Sequence, residues 1–147
     1  MSDNLFDPNL NINRANNYLN YDSTYVFKVD GIYNLPWGFG TAVNFQHYTG
    51  YPLQPTEVFK GLNQGNETVI LQPNGTIRLP DVNMLNLRFS KTFLFKDRYK
   101  AEPLVDLLNT TNAQTVVSEV TSFGPTYLKP SNTINPFIAR FGLRFEF

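Results

Sequence analysis

The last eleven residues constrain this chain more than any other stretch. They run Phe137-Ile138-Ala139-Arg140-Phe141-Gly142-Leu143-Arg144-Phe145-Glu146-Phe147. Phe137, Ala139, Phe141, Leu143, Phe145 and Phe147 share one parity, whereas Arg140, Gly142, Arg144 and Glu146 share the other. Side chains two apart on a strand line one face, so the spacing predicts a strand with one aromatic face and one charged face. In water, an aromatic strand end of this kind invites pairing with other chains. A chain with such a segment has to cover the aromatic face with something equally wide and apolar.

The same alternation recurs upstream. It predicts strands near 24–35, 39–48, 82–95 and 99–108, with the last strand over 137–147. In the first of these, Tyr25, Phe27, Val29, Gly31, Tyr33 and Leu35 oppose Thr24, Lys28, Asp30 and Asn34. Pro36-Trp37-Gly38 and Lys96-Asp97-Arg98 read as tight turns. Residues 1–23 are polar and Asn-rich and read as a loop. Residues 49–81 and 109–136 are long connections. Within the first, Glu67–Gln72, a Pro73-Asn74-Gly75 turn and Thr76–Leu79 read as a hairpin. Within the second, Thr115–Thr121 has strand character. The expected fold is all-β, an antiparallel meander of about five long strands.

Composition narrows what covers the aromatic face. Only 16% of the residues are charged, against roughly 25% in soluble domains. Aromatic residues make up 15%. Twelve basic residues balance twelve acidic ones, so there is no electrostatic footprint for nucleic acid. The absence of cysteine excludes disulfides, thiol nucleophiles and zinc–cysteine sites. No apolar run reaches the roughly 18 residues of a membrane helix. Met1–Pro8 has neither a basic nor an apolar region of a secretion signal, so any such signal is expected outside the chain. Strands of about ten residues with alternating polarity are instead what a transmembrane β-barrel requires, with lipid outside and water inside. Short turns then alternate with long loops, and five crossings starting from an outer loop bring Phe147 to the periplasmic side.

From about Asn20 to Phe147 the chain resembles the C-terminal end of TonB-dependent outer-membrane receptors, in particular the Oar-like subgroup with a carboxypeptidase-regulatory-like domain. The stretches that carry the resemblance are Tyr33–Gly38, Asn74–Pro80, Leu85–Phe93, Val105–Ala113 and Arg140–Phe145. The ending is also similar to the C-terminal assembly signal of such barrels, on Arg140, Gly142, Phe145 and Phe147. The resemblance implies a barrel of about 22 strands with an N-terminal plug. Against that, residues 24–147 correspond to about five strands, so the expectation is a partial outer-membrane barrel. It also implies that the last strand is recognised by the barrel-assembly machinery. Gly142 is expected to allow close approach of a neighbouring backbone.

The candidate residues follow from parity. Lys28, Asp30, Arg88, Lys100, Glu102, Asp106, Arg144 and Glu146 fall on the polar side of their strands, where they would form a mixed-charge wall facing the lumen. Arg140 joins them. A lipid-facing Arg or Lys costs about 2–4 kcal/mol at the bilayer midplane, which inward placement avoids. Lys91 shares parity with Phe89 and Phe93 and is expected to snorkel to the interface. Trp37, Phe39, Phe93, Phe95 and Tyr99 cluster at the short-turn ends and read as an aromatic girdle. His47, the one histidine, has no partners at metal-ligand spacing and reads as a rim residue. Asn66, Asn74 and Asn109 each begin an Asn-x-Thr triplet, a weak pattern in Asn-rich loops. Tyr48, Tyr51, Phe59, Phe123 and Tyr127 lie in or beside the long connections, where such rings stack on a ligand or, more often, pack loops together.

The function expected is that of a C-terminal barrel segment of a TonB-dependent outer-membrane transporter, forming wall and extracellular loops. It would be located in the bacterial outer membrane. No catalysis, cofactor or metal is expected, and no nucleic-acid partner. The expected partners are outer-membrane lipid, the assembly machinery and the remainder of the barrel with its plug. Two alternatives are a secreted β-sandwich that binds carbohydrate and a passive porin-like channel fragment. A sandwich needs polar outer faces and no belt of aromatics at its strand ends.

Overall fold

In a computed structural model, residues 21–63, 65–96 and 98–147 are described. Asp97 and the expected loop as far as residue 20 lie outside them. In chain order the strands are β1 (Val26–Leu35), β2 (Phe39–Tyr48), β3 (Pro52–Leu53), β4 (Thr56–Leu62), β5 (Gly65–Ile70), β6 (Ile77–Arg78), β7 (Val82–Lys91), β8 (Phe93–Phe95), β9 (Tyr99–Leu108), β10 (Val116–Glu119), β11 (Pro130–Thr133) and β12 (Ile138–Glu146). All strand pairings are antiparallel. The described residues contain no α-helix, and no helix is long and apolar enough to cross a membrane. The chain divides into two units.

One unit comprises Val26–Tyr48, Val82–Gln114 and Ile134–Phe147. It is a meander in the order β1-β2-β7-β9-β12, with β8 also against β9. The sheet does not close on itself: among the described residues β1 pairs only with β2, and β12 only with β9. The β1–β2 and β2–β7 ladders run without a register shift from Val26↔Tyr48 to Leu35↔Phe39 and from Tyr48↔Val82 to Phe39↔Lys91. Pro36-Trp37-Gly38 links β1 to β2 as a single 3-10 turn. Trp37 and Gly38 both take positive φ, 64° and 78°. Glycine is required at 38, where a Cβ would stand 2.8 Å from the Thr92 carbonyl oxygen.

The third strand departs from the expected continuous run over 82–95. It splits at Thr92, whose amide donates to the Gly38 carbonyl at 2.8 Å. The cause lies on β9. Ser90 pairs with Leu104 and Phe93 with Ala101, which sets Pro103 opposite Lys91. Proline has no N–H to give a ladder, and the pairing breaks at that point. On its other side β9 pairs with β12 straight through Pro103↔Leu143.

The other unit contains 49–81 and 115–133 together with the described residues up to Tyr25. The expected hairpin about Pro73-Asn74-Gly75 is not formed. A local turn does exist there, with Thr76 N donating to Pro73 O at 3.2 Å, but its flanks pair elsewhere. β4 pairs with β5, and β3 pairs with β6 outside them, so one hairpin nests in another. Leu71 N to Pro55 O and Leu79 N to Tyr51 O, both 2.9 Å, extend the nesting. Leu53, Pro55, Ile70 and Leu79 are buried in this unit. The segment with strand character over 115–121 is β10, paired with β11 across two register shifts.

Candidate functional site

Cross-strand partners share a face, so the registers assign each side chain of the long sheet to one side. One face carries Lys28, Asp30, Arg88, Lys100, Glu102, Asp106, Arg140, Arg144 and Glu146. The opposite face carries Phe27, Val29, Tyr33, Phe39, Val43, Leu87, Phe89, Phe93, Val105, Phe141, Leu143 and Phe145. The eight charges read from parity as one wall are therefore together on one side of the sheet.

The polar face is organised in rows across the strands. In the first, Asn44 Nδ2 donates to Asp30 Oδ1 at 2.5 Å and Asn86 Nδ2 donates to Asn44 Oδ1 at 3.0 Å. Gln46 Nε2 donates to the same Asn44 oxygen at 3.0 Å. Asn86 Oδ1 accepts from the Asn109 backbone N–H at 2.9 Å. In the next row, Arg88 grips Asp106 with both arms of its fork, Nε to Oδ1 at 2.5 Å and Nη2 to Oδ2 at 3.0 Å. Arg140 Nη2 lies 3.9 Å from the same carboxylate. Toward the short turns, Arg144 stands opposite Glu102, and Lys100 Nζ reaches Glu146 Oε2 at 3.2 Å. Lys28 stands opposite Gln46. A hollow of about 260 Å³ lies over the first two rows. Asp106 thus sits between two guanidinium groups, which makes it an ion-paired residue of the polar face.

The apolar face is open. Phe141 is 82% exposed, and Phe27, Tyr33, Phe89, Leu143 and Phe145 are exposed as well. Phe39, Phe93, Phe95 and Tyr99 all lie on this face, near the end that carries the Pro36–Gly38 turn, and Trp37 in that turn is 84% exposed. His47 lies on the same face at the far end, where Nδ1 is 2.7 Å from Oδ1 of its cross-strand neighbour Asn83. Among the described residues no three His, Asp or Glu side chains gather in a way that would hold a metal.

The four residues of the expected assembly signal divide between the faces. Arg140 and Gly142 are on the polar side, Phe145 on the apolar side, and Phe147 follows the strand 93% exposed. Gly142 makes room for a side chain, where a close backbone was expected. A Cβ there would come within 2.9 Å of Leu104 Cδ1.

The Asn44–Asn86–Asn109 row was not anticipated. For Asn44 and Asn86 the signal was the recurrence of Asn on the polar parity, whereas Asn109 has the other parity and joins through its backbone N–H. Asn109 is 3% exposed, and its Nδ2 donates to the carbonyls of Ala113 and Asn135. Asn109 and the equally buried Asn74 are therefore unsuited to carry a glycan, whereas Asn66 on β5 is exposed. Of the loop aromatics, Tyr51 packs edge-on against Tyr21 with ring centres 6.0 Å apart, and Phe123 packs at a tilt against Tyr127 at 5.4 Å. No protein-family model matches the chain, and no match is found among curated proteins or solved structures.

Proposed function

We propose that this chain forms the C-terminal part of the wall of an outer-membrane β-barrel of the TonB-dependent receptor kind, in a protein that imports a substrate. The observation that carries the reading is the separation of the two sheet faces. Every Asp, Glu, Lys and Arg of the five long strands except Lys91 lies on one side, and the large apolar side chains concentrate on the other, where most of them are exposed. Moving one such side chain out of water is worth about 1.5–3 kcal/mol, so a wide apolar cover is required. Lipid supplies that cover, while water in the lumen meets the ion-paired face.

The open edges support the same reading. Unpaired backbone groups in lipid cost several kcal/mol each, so β1 and β12 need further strands of a larger barrel. The proposed partners are that remainder, outer-membrane lipid and the assembly machinery, acting on the strand that contains Arg140, Gly142, Phe145 and Phe147. The chain's role is structural, with no catalytic step.

Single cysteines at Phe141, Leu143, Arg140 and Arg144, each carrying a bimane label in protein recovered from membranes, test this. Spin-labelled lipid should quench positions 141 and 143, and aqueous iodide should quench 140 and 144. Iodide reaching all four positions alike, with no quenching by lipid, would favour the secreted sandwich.

A further inference from the structure

Lys91 is the one Asp, Glu, Lys or Arg on the apolar face of the long strands. Its surroundings answer the cost of that placement only in part. Nζ lies 4.0 Å from the ring centre of Phe39 and 5.8 Å from that of Phe93, and it donates a hydrogen bond to the Trp37 carbonyl. Aromatic faces attract an ammonium group, and the carbonyl takes one of its three protons. Among the described residues no carboxylate lies within ion-pair distance of it. The ammonium group therefore has donors to spare among the described residues, in a cup of exposed aromatic rings beside the short turns.

We infer that Lys91, Trp37, Phe39 and Phe93 form a binding site for the phosphate of an anionic glycerophospholipid, seated at the short-turn end of the sheet. The inference rests on the proposed lipid-facing role of this side of the sheet. A phosphodiester supplies what the cup lacks: a negative charge and oxygen acceptors for the remaining protons. The glycerol and first methylenes of the lipid then lie along Phe93 and Phe39, and Trp37 meets the headgroup level where amphipathic rings settle. Headgroup preference follows from charge. Among the described residues the cup offers no carboxylate to an ethanolamine or choline ammonium, and the chain continues to a short turn with Lys96 and Arg98, the latter 5.7 Å from the Tyr99 ring centre. With Asp97 between them, that turn adds one net positive charge. Phosphatidylglycerol is thus favoured over phosphatidylcholine.

Trp37 is the only tryptophan of the chain and serves as the reporter. Protein recovered from membranes is placed in phosphatidylcholine vesicles, and the Trp37 fluorescence, taken as the difference from a Trp37→Phe variant, is quenched by brominated acyl chains carried either on phosphatidylglycerol or on phosphatidylcholine. Phosphatidylglycerol should be enriched about five-fold at Trp37, the size expected for one basic side chain near anionic lipid. Lys91→Gln should abolish the enrichment and Lys91→Arg should retain it. Enrichment that survives Lys91→Gln overturns the inference, and so does its loss on adding millimolar inorganic phosphate, which would mark a free-anion site. Bimane at Phe141, in the same vesicles, reports the parent reading separately. Quenching at 141 without enrichment at Trp37 defeats this inference alone, and no quenching at either position defeats both.

Discussion

The long sheet and the unit built from the connections hold together in opposite ways. The sheet has the more regular architecture, with long ladders in simple antiparallel register, yet among its described residues Val82 is the only buried hydrophobic one. The connection unit has short strands and register shifts, yet it buries Leu53, Pro55, Ile70 and Leu79. Regularity and core are thus separated in this molecule. The nested hairpins draw apolar contact from their own side chains. The sheet has backbone ladders and a polar network of its own, and its apolar face waits on the surroundings.

The sharpest way to break that comparison is to place a charge on the apolar face. Phe141→Arg should cost about 2–4 kcal/mol if the face meets lipid near its midplane. The measurement is the heat-modifiable folded fraction on gels, compared with Arg140→Ala on the opposite face. A face that water already covers would accept the arginine without loss, and the membrane reading would then fail.

The converse perturbation belongs to the connection unit. A Cβ at Gly50 would fall 1.6 Å from the Leu79 carbonyl oxygen, so the backbone must move. Gly50→Ala should destabilise this unit by about 1–3 kcal/mol, the usual size of an overpacked site. Hydrogen exchange should quicken at Leu71 and Leu79, whose amides close the nested pairing, while the β2–β7 ladder keeps its protection. Equal loss in both regions would mean that the two are energetically one.

This difference also explains which features were legible in the sequence. Face assignment along the long strands depends only on period two, so Lys28, Arg88, Asp106 and Glu146 could be placed on one side from parity alone. Pro36-Trp37-Gly38 announced its own turn. Pairing among short strands depends instead on which distant partner wins. Pro73-Asn74-Gly75 carries a valid turn signal, yet Ile77 pairs with Leu53 and Ile70 with Thr56, because burying Leu53, Ile70 and Leu79 together outweighs closing the nearest hairpin. The break at Thr92 was written in Pro103, but reading it needs the register that sets Pro103 opposite Lys91. The Asn109 hub was equally hidden, since its partners Ala113, Asn135 and Asn86 come together only in the fold.

The polar face offers a finer test of how its rows hold the strands. Arg88 and Asp106 make a two-armed contact between β7 and β9, with Asp106 well covered and the Arg88 side chain 55% exposed. Because the arginine is half in water, the pair is worth far less than a fully buried one. A double-mutant cycle with Arg88→Gln and Asp106→Asn should give a coupling of about 1 kcal/mol. A coupling near zero would make the row a bystander and leave the ladders as the only link between these strands.

The smallest effect is expected at Lys100–Glu146, near the short turns. This pair has one contact at 3.2 Å, and both side chains are about half exposed. Long side chains lose rotamer freedom to hold such a contact, and salt screens it. The coupling from Lys100→Gln and Glu146→Gln should lie at about 0.2–0.5 kcal/mol and vanish in molar salt. Glu146→Gln alone should therefore be almost silent in the folded fraction, although it lies beside the terminal Phe145 and Phe147. Deleting Phe147, which makes no ladder pair, should lower the amount assembled in the outer membrane if the last strand is read by the assembly machinery. The two variants separate the faces at one strand end. A large loss from Glu146→Gln with none from the deletion would place the recognised feature on the polar side, contrary to the assembly signal proposed for Phe145 and Phe147.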